Sequence, residues 1–316
     1  MEYRRLGHAG VKVSALGFGT WLNFGGHLGD REAGSLVRRA LERGVNLIDT
    51  ADVYADGKAE EQLGRVLEGV GRESYVLATK AFFPIGPGPN DRGLSRKHVM
   101  ESAHASLRRL RTDHLDLYQC HRHDPETPVE ETVRAFADLI AQGKVHYWGV
   151  SLWSAMQIEE AVAVAKELGA PAPVSNQPPY SLLNREIEAE VVPACKRYGL
   201  GILPFSPLAQ GVLTGKYLDG SRPSSSRAAD PRRNQYMQRY LTDDATKRVA
   251  RLRELARAAG MPTARLALAW VLKNPVVSSV LVGVTTEAQL EENLAAAGAP
   301  LDDGLKAELD GLFSPP

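Results

Sequence analysis

The sequence predicts an α/β fold, a (β/α)8 TIM barrel, and three observations carry that expectation. Amphipathic stretches alternate eight times with short apolar runs along the 316 residues. The apolar runs are nearly continuous, the pattern of parallel strands covered on both faces. Helical stretches repeatedly run into a glycine fit for a left-handed C-cap, as at Gly44 and Gly143, with a strand soon after. An open doubly wound sheet is the competitor. No G-x-G-x-x-G follows the first strand, however, and the glycines of Leu16-Gly17-Phe18-Gly19-Thr20 have the wrong spacing for it.

In chain order, residues 3–6 and 11–14 flank His8-Ala9-Gly10 and read as a β-hairpin that plugs one end of the barrel. Strands are expected at 15–20, 46–50, 75–80, 115–121, 145–151, 174–177, 201–205 and 279–284. Their partner helices are expected at 30–43, 58–68, 95–111, 129–142, 154–168, 185–198, 243–259 and 286–297, with an additional helix at 263–273. The stretch 208–241 breaks the rhythm. It is rich in Gly, Ser, Pro and Arg and too polar for core, so it reads as a functional loop or an insertion. No interdomain linker interrupts the pattern, and residues 1–316 are expected to form a single barrel domain.

Composition narrows the function. Lys plus Arg and Asp plus Glu are equal at 38 each, which argues against nucleic acid or an anionic membrane surface as the main partner and favours a small molecule. Two cysteines, Cys120 and Cys195, make no disulfide framework and no CxxC metal pair. The N-terminus has no apolar h-region and no run reaches the ~18 apolar residues needed to cross a bilayer, so a cytoplasmic protein without membrane insertion is expected. Oligomeric state is left open, with room for a homo-oligomer.

In a parallel barrel the active site lies at the C-terminal ends of the strands. Three predicted strands end in ionisable groups there: Asp49 closes the second, Lys80 the third and His121 the fourth, with Tyr54 on the loop after Asp49. Neighbouring strands bring these groups together. A phenol with a pKa of about 10 is a poor acid at neutral pH, but a nearby ammonium stabilises its phenolate and lowers that pKa. Lys80 is placed to do this for Tyr54, Asp49 to keep Lys80 charged and aimed, and His121 to orient a substrate carbonyl. Each residue alone reads more readily as structural, Asp49 and Lys80 as an ion pair, Tyr54 as a loop residue over apolar surface and His121 as a satisfied strand-end histidine; the joint placement favours chemistry. Trp21, Tyr54, Phe82, Phe83 and Trp153 follow strand ends and, with His121, are expected to form the substrate mouth. A metal at His121, His123 and Asp49 is disfavoured, since Asp124-Pro125 ends the strand that would hold both histidines on one face.

These residues, with Leu16-Gly17-Phe18-Gly19-Thr20-Trp21, Asn46-Leu47-Ile48-Asp49-Thr50-Ala51 and Tyr147-Trp148-Gly149-Val150-Ser151, resemble the aldo-keto reductases, most closely the branch containing the potassium-channel β-subunits. The resemblance spans nearly the whole chain. It implies a catalytic tetrad of Asp49, Tyr54, Lys80 and His121, the last standing where the channel subunits have asparagine. It also implies NADP(H) as cofactor. Thr20, Trp21 and Asp49 match positions near the nicotinamide and its ribose, Ser151 and Gln177 those that hold the carboxamide, and Phe205 a platform for the ring. Ser206, Pro207, Leu208, Gln210, Gly211, Lys216 and Arg227 look like a pyrophosphate strap, which turns the irregular loop into a cofactor element. Gly283, Thr285, Gln289, Glu292 and Asn293 look like the adenosine end, at a helix N-terminus suited to anions. Gln289 stands where many reductases of this fold have arginine, so NAD(H) stays open as an alternative cofactor. The implied activity is reduction of an aldehyde or ketone to an alcohol. The rival is a cofactor-sensing regulatory subunit of a membrane channel or other partner.

Overall fold

The computed structural model describes residues 1–223, 226–230 and 233–314, so residues 224–225 and 231–232 of the expected loop lie outside the described residues. Strands β1 (Tyr3–Arg5) and β2 (Lys12–Ser14) pair antiparallel, with Tyr3 opposite Ser14. Units of strand and helix then follow: β3 (Leu16–Gly19) and α1 (Asp30–Glu42), β4 (Leu47–Asp49) and α2 (Lys58–Val66), β5 (Val76–Ala81) and α3 (Arg96–Leu110). Next come β6 (Leu115–Cys120) and α4 (Val129–Ala141), β7 (Val145–Val150) and α5 (Ala155–Glu167), β8 (Ser175–Asn176) and α6 (Val191–Tyr198). The last are β9 (Gly201–Ile202), α7 (Asp243–Ala258), α8 (Thr263–Leu272), β10 (Val280–Val282), α9 (Glu287–Leu294) and α10 (Asp303–Leu312).

The eight later strands are parallel in the order β10-β3-β4-β5-β6-β7-β8-β9. The two edges of that sheet meet. Ile202 N donates to Val276 O, Ser278 N to Ile202 O and Leu281 N to Pro204 O, each at 2.9 Å, so β9 bonds to the chain entering β10 and the barrel closes. Its interior is a small apolar cluster of Leu47, Val76, Ala78, Leu117, Leu203 and Leu281, joined by Leu6 and Val13 of the hairpin. The hairpin therefore plugs the N-terminal ends of the strands and leaves the opposite end for polar groups. Its turn is seated closely. Gly7 is left-handed (φ 58), and a Cβ there would lie 2.2 Å from the Gly199 carbonyl oxygen. A larger cluster fills the layer between strands and helices.

Two expectations change. The helix expected at 185–198 is a short 3-10 turn, Glu186–Glu188, followed by α6. Pro193 explains the break: proline is tolerated in the first turn of a helix but clashes with the carbonyl four residues earlier in its interior, so α6 starts just before it. The terminal helix α10 was not expected. Asp302 caps it by accepting from Leu305 N at 2.8 Å, and Trp270 Nε1 of α8 donates to its Asp310 at 2.8 Å. Among the described residues no helix is long and apolar enough to cross a membrane.

Candidate active site

The register of the barrel assembles the strand-end residues. Asp49 at the end of β4 lies opposite Ala78 of β5, so Lys80 projects two residues further on, and Lys80 in turn lies opposite Gln119 of β6. Tyr54 sits on the loop after β4, where the left-handed residues Ala55, Asp56 and Gly57 reverse the chain into α2. Lys80 Nζ donates to Asp49 Oδ1 at 2.6 Å, to the Thr50 carbonyl at 2.6 Å and to Tyr54 Oη at 3.3 Å. The lysine is wholly buried. Gln177 Nε2 donates to Asp49 Oδ2 at 3.0 Å, so the carboxylate is held from two sides. The His121 ring meets the Tyr54 ring edge-on, with centroids 5.7 Å apart.

The charge states follow from burial and neighbours. Burial pulls the Lys80 ammonium down, but Asp49 and Tyr54 outweigh it, and Lys80 titrates above the ordinary lysine value. Burial drives His121 well below the ordinary histidine value, and Lys80 and Arg122 add to the effect, so the imidazole is neutral at neutral pH. Its Nδ1 is buried and has no partner among the described residues. Tyr54 departs from the sequence expectation. Burial pushes the phenol above its ordinary value, and Lys80 offsets this only in part. Lysine lowers the cost of the phenolate while burial keeps the resting group protonated. Asp52, behind the lysine, is held well above the carboxylate range by burial and by Glu60, which leaves Asp49 as the counter-ion of Lys80.

Above these groups opens a cleft of about 1510 Å³, larger than the ~300–1,000 Å³ usual for one small ligand. Its walls carry Trp21, Asp49, Tyr54, Phe83, His121, Ser151 and Gln177 on the barrel rim. Phe205, Ser206, Pro207, Leu208, Gln210, Gly211, Lys216 and Arg227 line the next wall, and Gly283, Thr285, Gln289, Glu292 and Asn293 the far end.

Three expected residues are placed elsewhere. Thr20 is fully buried and turned into the wall, where its hydroxyl bonds the Asp49 carbonyl and the Thr50 hydroxyl. Phe82 packs on the core beneath Phe83, because successive residues leaving β5 face opposite ways. Trp153 is 2% exposed and packs against His123. A left-handed Leu152 (φ 57) turns Leu152 into the cleft and the tryptophan beneath it. The sequence reading missed Arg122, Arg233, Tyr236 and Arg239, which also line the cleft. A cation directly after the strand-end His121 was the available signal for the first; nothing in the long loop singled out the others.

A model of the aldo/keto reductase family matches residues 15–313. The chain belongs to the aldo/keto reductase family. Two plant relatives, each described as a probable voltage-gated potassium channel subunit beta, come from Arabidopsis thaliana and Oryza sativa subsp. japonica. Each is 46% identical over 299 residues, covering 94% of this chain and 91% of the relative.

In this family member the described parts of the long loop form short turns along the cleft. Tyr236 meets Trp21 edge-on with centroids 4.9 Å apart, and Arg233 reaches across to Asn23 Oδ1 and His27 Nε2, each at 2.9 Å. Ser206, Ala209, Gln210 and Gly211 all have positive φ, a backbone that can form an anion-binding concavity. Arg227 is bonded to the Gln210 amide oxygen. Burial, then Arg233, pushes its guanidinium down to about 10, and among the described residues no carboxylate pairs with it. A partly buried cation that no described carboxylate pairs with, beside a left-handed turn, fits a pyrophosphate. At the far end Thr286 caps α9 by accepting from Gln289 N, and the Gln289 side chain accepts from Thr285 N at 2.9 Å. The residues expected there include no lysine or arginine.

Proposed function

We propose that the protein reduces an aldehyde or ketone to the alcohol with NADP(H), binding the cofactor between the strap and the N-terminus of α9. The observation that carries this reading is Lys80, buried and bonded at once to Asp49 and Tyr54. When bound, the nicotinamide supplies a hydride to the carbonyl carbon. Tyr54 donates its proton to the carbonyl oxygen as negative charge develops there, and Lys80 stabilises the phenolate left behind. His121, neutral, can donate a hydrogen bond to the same oxygen without competing as a cation. Phe83, Leu152 and Val53 line the cleft and give an apolar seat for the rest of the substrate.

A second reading rests on the relatives' description as channel β-subunits: the same cofactor site could report nicotinamide state to a membrane partner. It predicts tight cofactor binding with negligible turnover.

At the α9 end Thr285, Gln289 and Asn293 line the cleft beside the carboxylate of Glu292, so the donors offered to a 2′-phosphate there are neutral ones. A hydrogen bond from a neutral donor contributes about 0.5–1.5 kcal/mol, against about 1.5–3 kcal/mol where a charge is involved. NADPH is therefore expected to bind about tenfold more tightly than NADH, the equivalent of ~1.4 kcal/mol. Fluorescence-quenching titrations of both nucleotides measure this directly, and equal affinities would remove the NADP assignment.

A further inference from the structure

Arg122 directly follows His121 and lines the cleft. Its guanidinium lies over the Phe83 ring, 5.0 Å from the centroid, and Nη1 donates to the His121 carbonyl at 2.5 Å. Phe83 meets the His121 ring at 4.9 Å, and His121 meets Tyr54 at 5.7 Å. The guanidinium is thus one ring removed from the groups assigned to the carbonyl. Its charge is felt at both Tyr54 and His121.

Burial lowers the pKa of Arg122, and among the described residues no carboxylate pairs with it. A partly desolvated guanidinium without a counter-ion is unusual, because its five donors are best satisfied by a planar oxyanion. The ring face and a single carbonyl leave most of those donors unused. The cations Lys216, Arg227 and Arg233 come from the strap and belong with the cofactor wall; Arg122 comes from the rim beside the proposed acid. A cofactor phosphate is therefore not the natural partner of Arg122.

We propose that Arg122 anchors a carboxylate on the substrate, so that the preferred substrates are carbonyl compounds bearing a carboxylate about one aromatic ring away from the reacting carbon. This rests on the reductase reading and adds the substrate class to it. Phe83 serves both parts: it supports the guanidinium and forms part of the apolar wall beneath the spacer.

The test compares meta-carboxybenzaldehyde with meta-methylbenzaldehyde for the wild type, Arg122→Met and Arg122→Lys, and measures binding of meta-toluate by calorimetry with and without NADP+. The wild type should prefer the carboxylated aldehyde. Arg122→Met should reduce that preference in kcat/KM by about 50-fold, mainly through KM, as expected for loss of a charge-assisted pair. Arg122→Lys should keep part of the preference, and toluate binding should be lost in Arg122→Met. No wild-type preference, or equal losses on both aldehydes in Arg122→Met, would reduce Arg122 to a packing residue. If neither aldehyde is reduced yet toluate binds through Arg122, the anion site stands and the reductase reading fails. If the neutral aldehyde is reduced while toluate neither binds nor is matched by a carboxylate preference, the reductase reading stands and the anion site fails.

Discussion

Tyr54→Phe is expected to lower kcat for carbonyl reduction by about 1,000-fold, within the ~10²–10⁴-fold range of a positioned general acid. The substitution removes only the hydroxyl. The ring keeps its place against His121, and Lys80 keeps Asp49 and the Thr50 carbonyl as acceptors. Cofactor binding should survive, so the loss falls on the chemical step. The pH profile gives a second readout. Tyr54 must be protonated to donate, and its pKa lies above the ordinary phenol value, so wild-type reduction should hold through neutral pH and fall only on the alkaline side. His121 is already neutral there and adds no limb. Wild-type turnover in Tyr54→Phe would sink the acid assignment.

Lys80→Met carries the largest expected effect on the fold and a large one on activity. Breaking a buried ion pair by removing one partner costs about 3–5 kcal/mol, because the remaining charge is left uncompensated. Asp49 retains Gln177 as a donor at 3.0 Å, which places the expected loss near the lower end, about 3 kcal/mol in urea denaturation. Activity should fall by at least about 100-fold, the scale for losing one preorganised electrostatic partner. Stability close to that of the wild type would mean that Asp49 does not rely on the lysine.

The barrel and the Asp49, Tyr54, Lys80 and His121 cluster were legible because strand ends are marked in sequence by where an apolar run meets an ionisable residue. Side-chain direction past those ends was not. Leucine rarely adopts positive φ, so nothing announced that Leu152 would face the cleft and Trp153 the core. Pro193 was visible but its consequence was missed: the stretch 185–198 carries one helical pattern, and only the steric rule for proline divides it. The direction of the Tyr54 shift was also out of reach. A charge neighbour can be guessed from strand order, whereas the opposing effect of burial depends on how the strap and rim enclose the ring. Arg122 was hidden by its neighbour, since the His121-Arg122-His123 run was weighed only as a metal motif.

The central claim is that this cleft carries out hydride transfer to a carbonyl and does not merely sense a nucleotide. The most direct measurement follows the loss of NADPH absorbance and the appearance of alcohol together, for the purified protein with a panel of neutral and carboxylated aldehydes. The account predicts one alcohol formed per NADPH consumed over many turnovers, and loss of both signals in Tyr54→Phe. Tight NADPH binding with no consumption across the panel would contradict it and favour the regulatory reading.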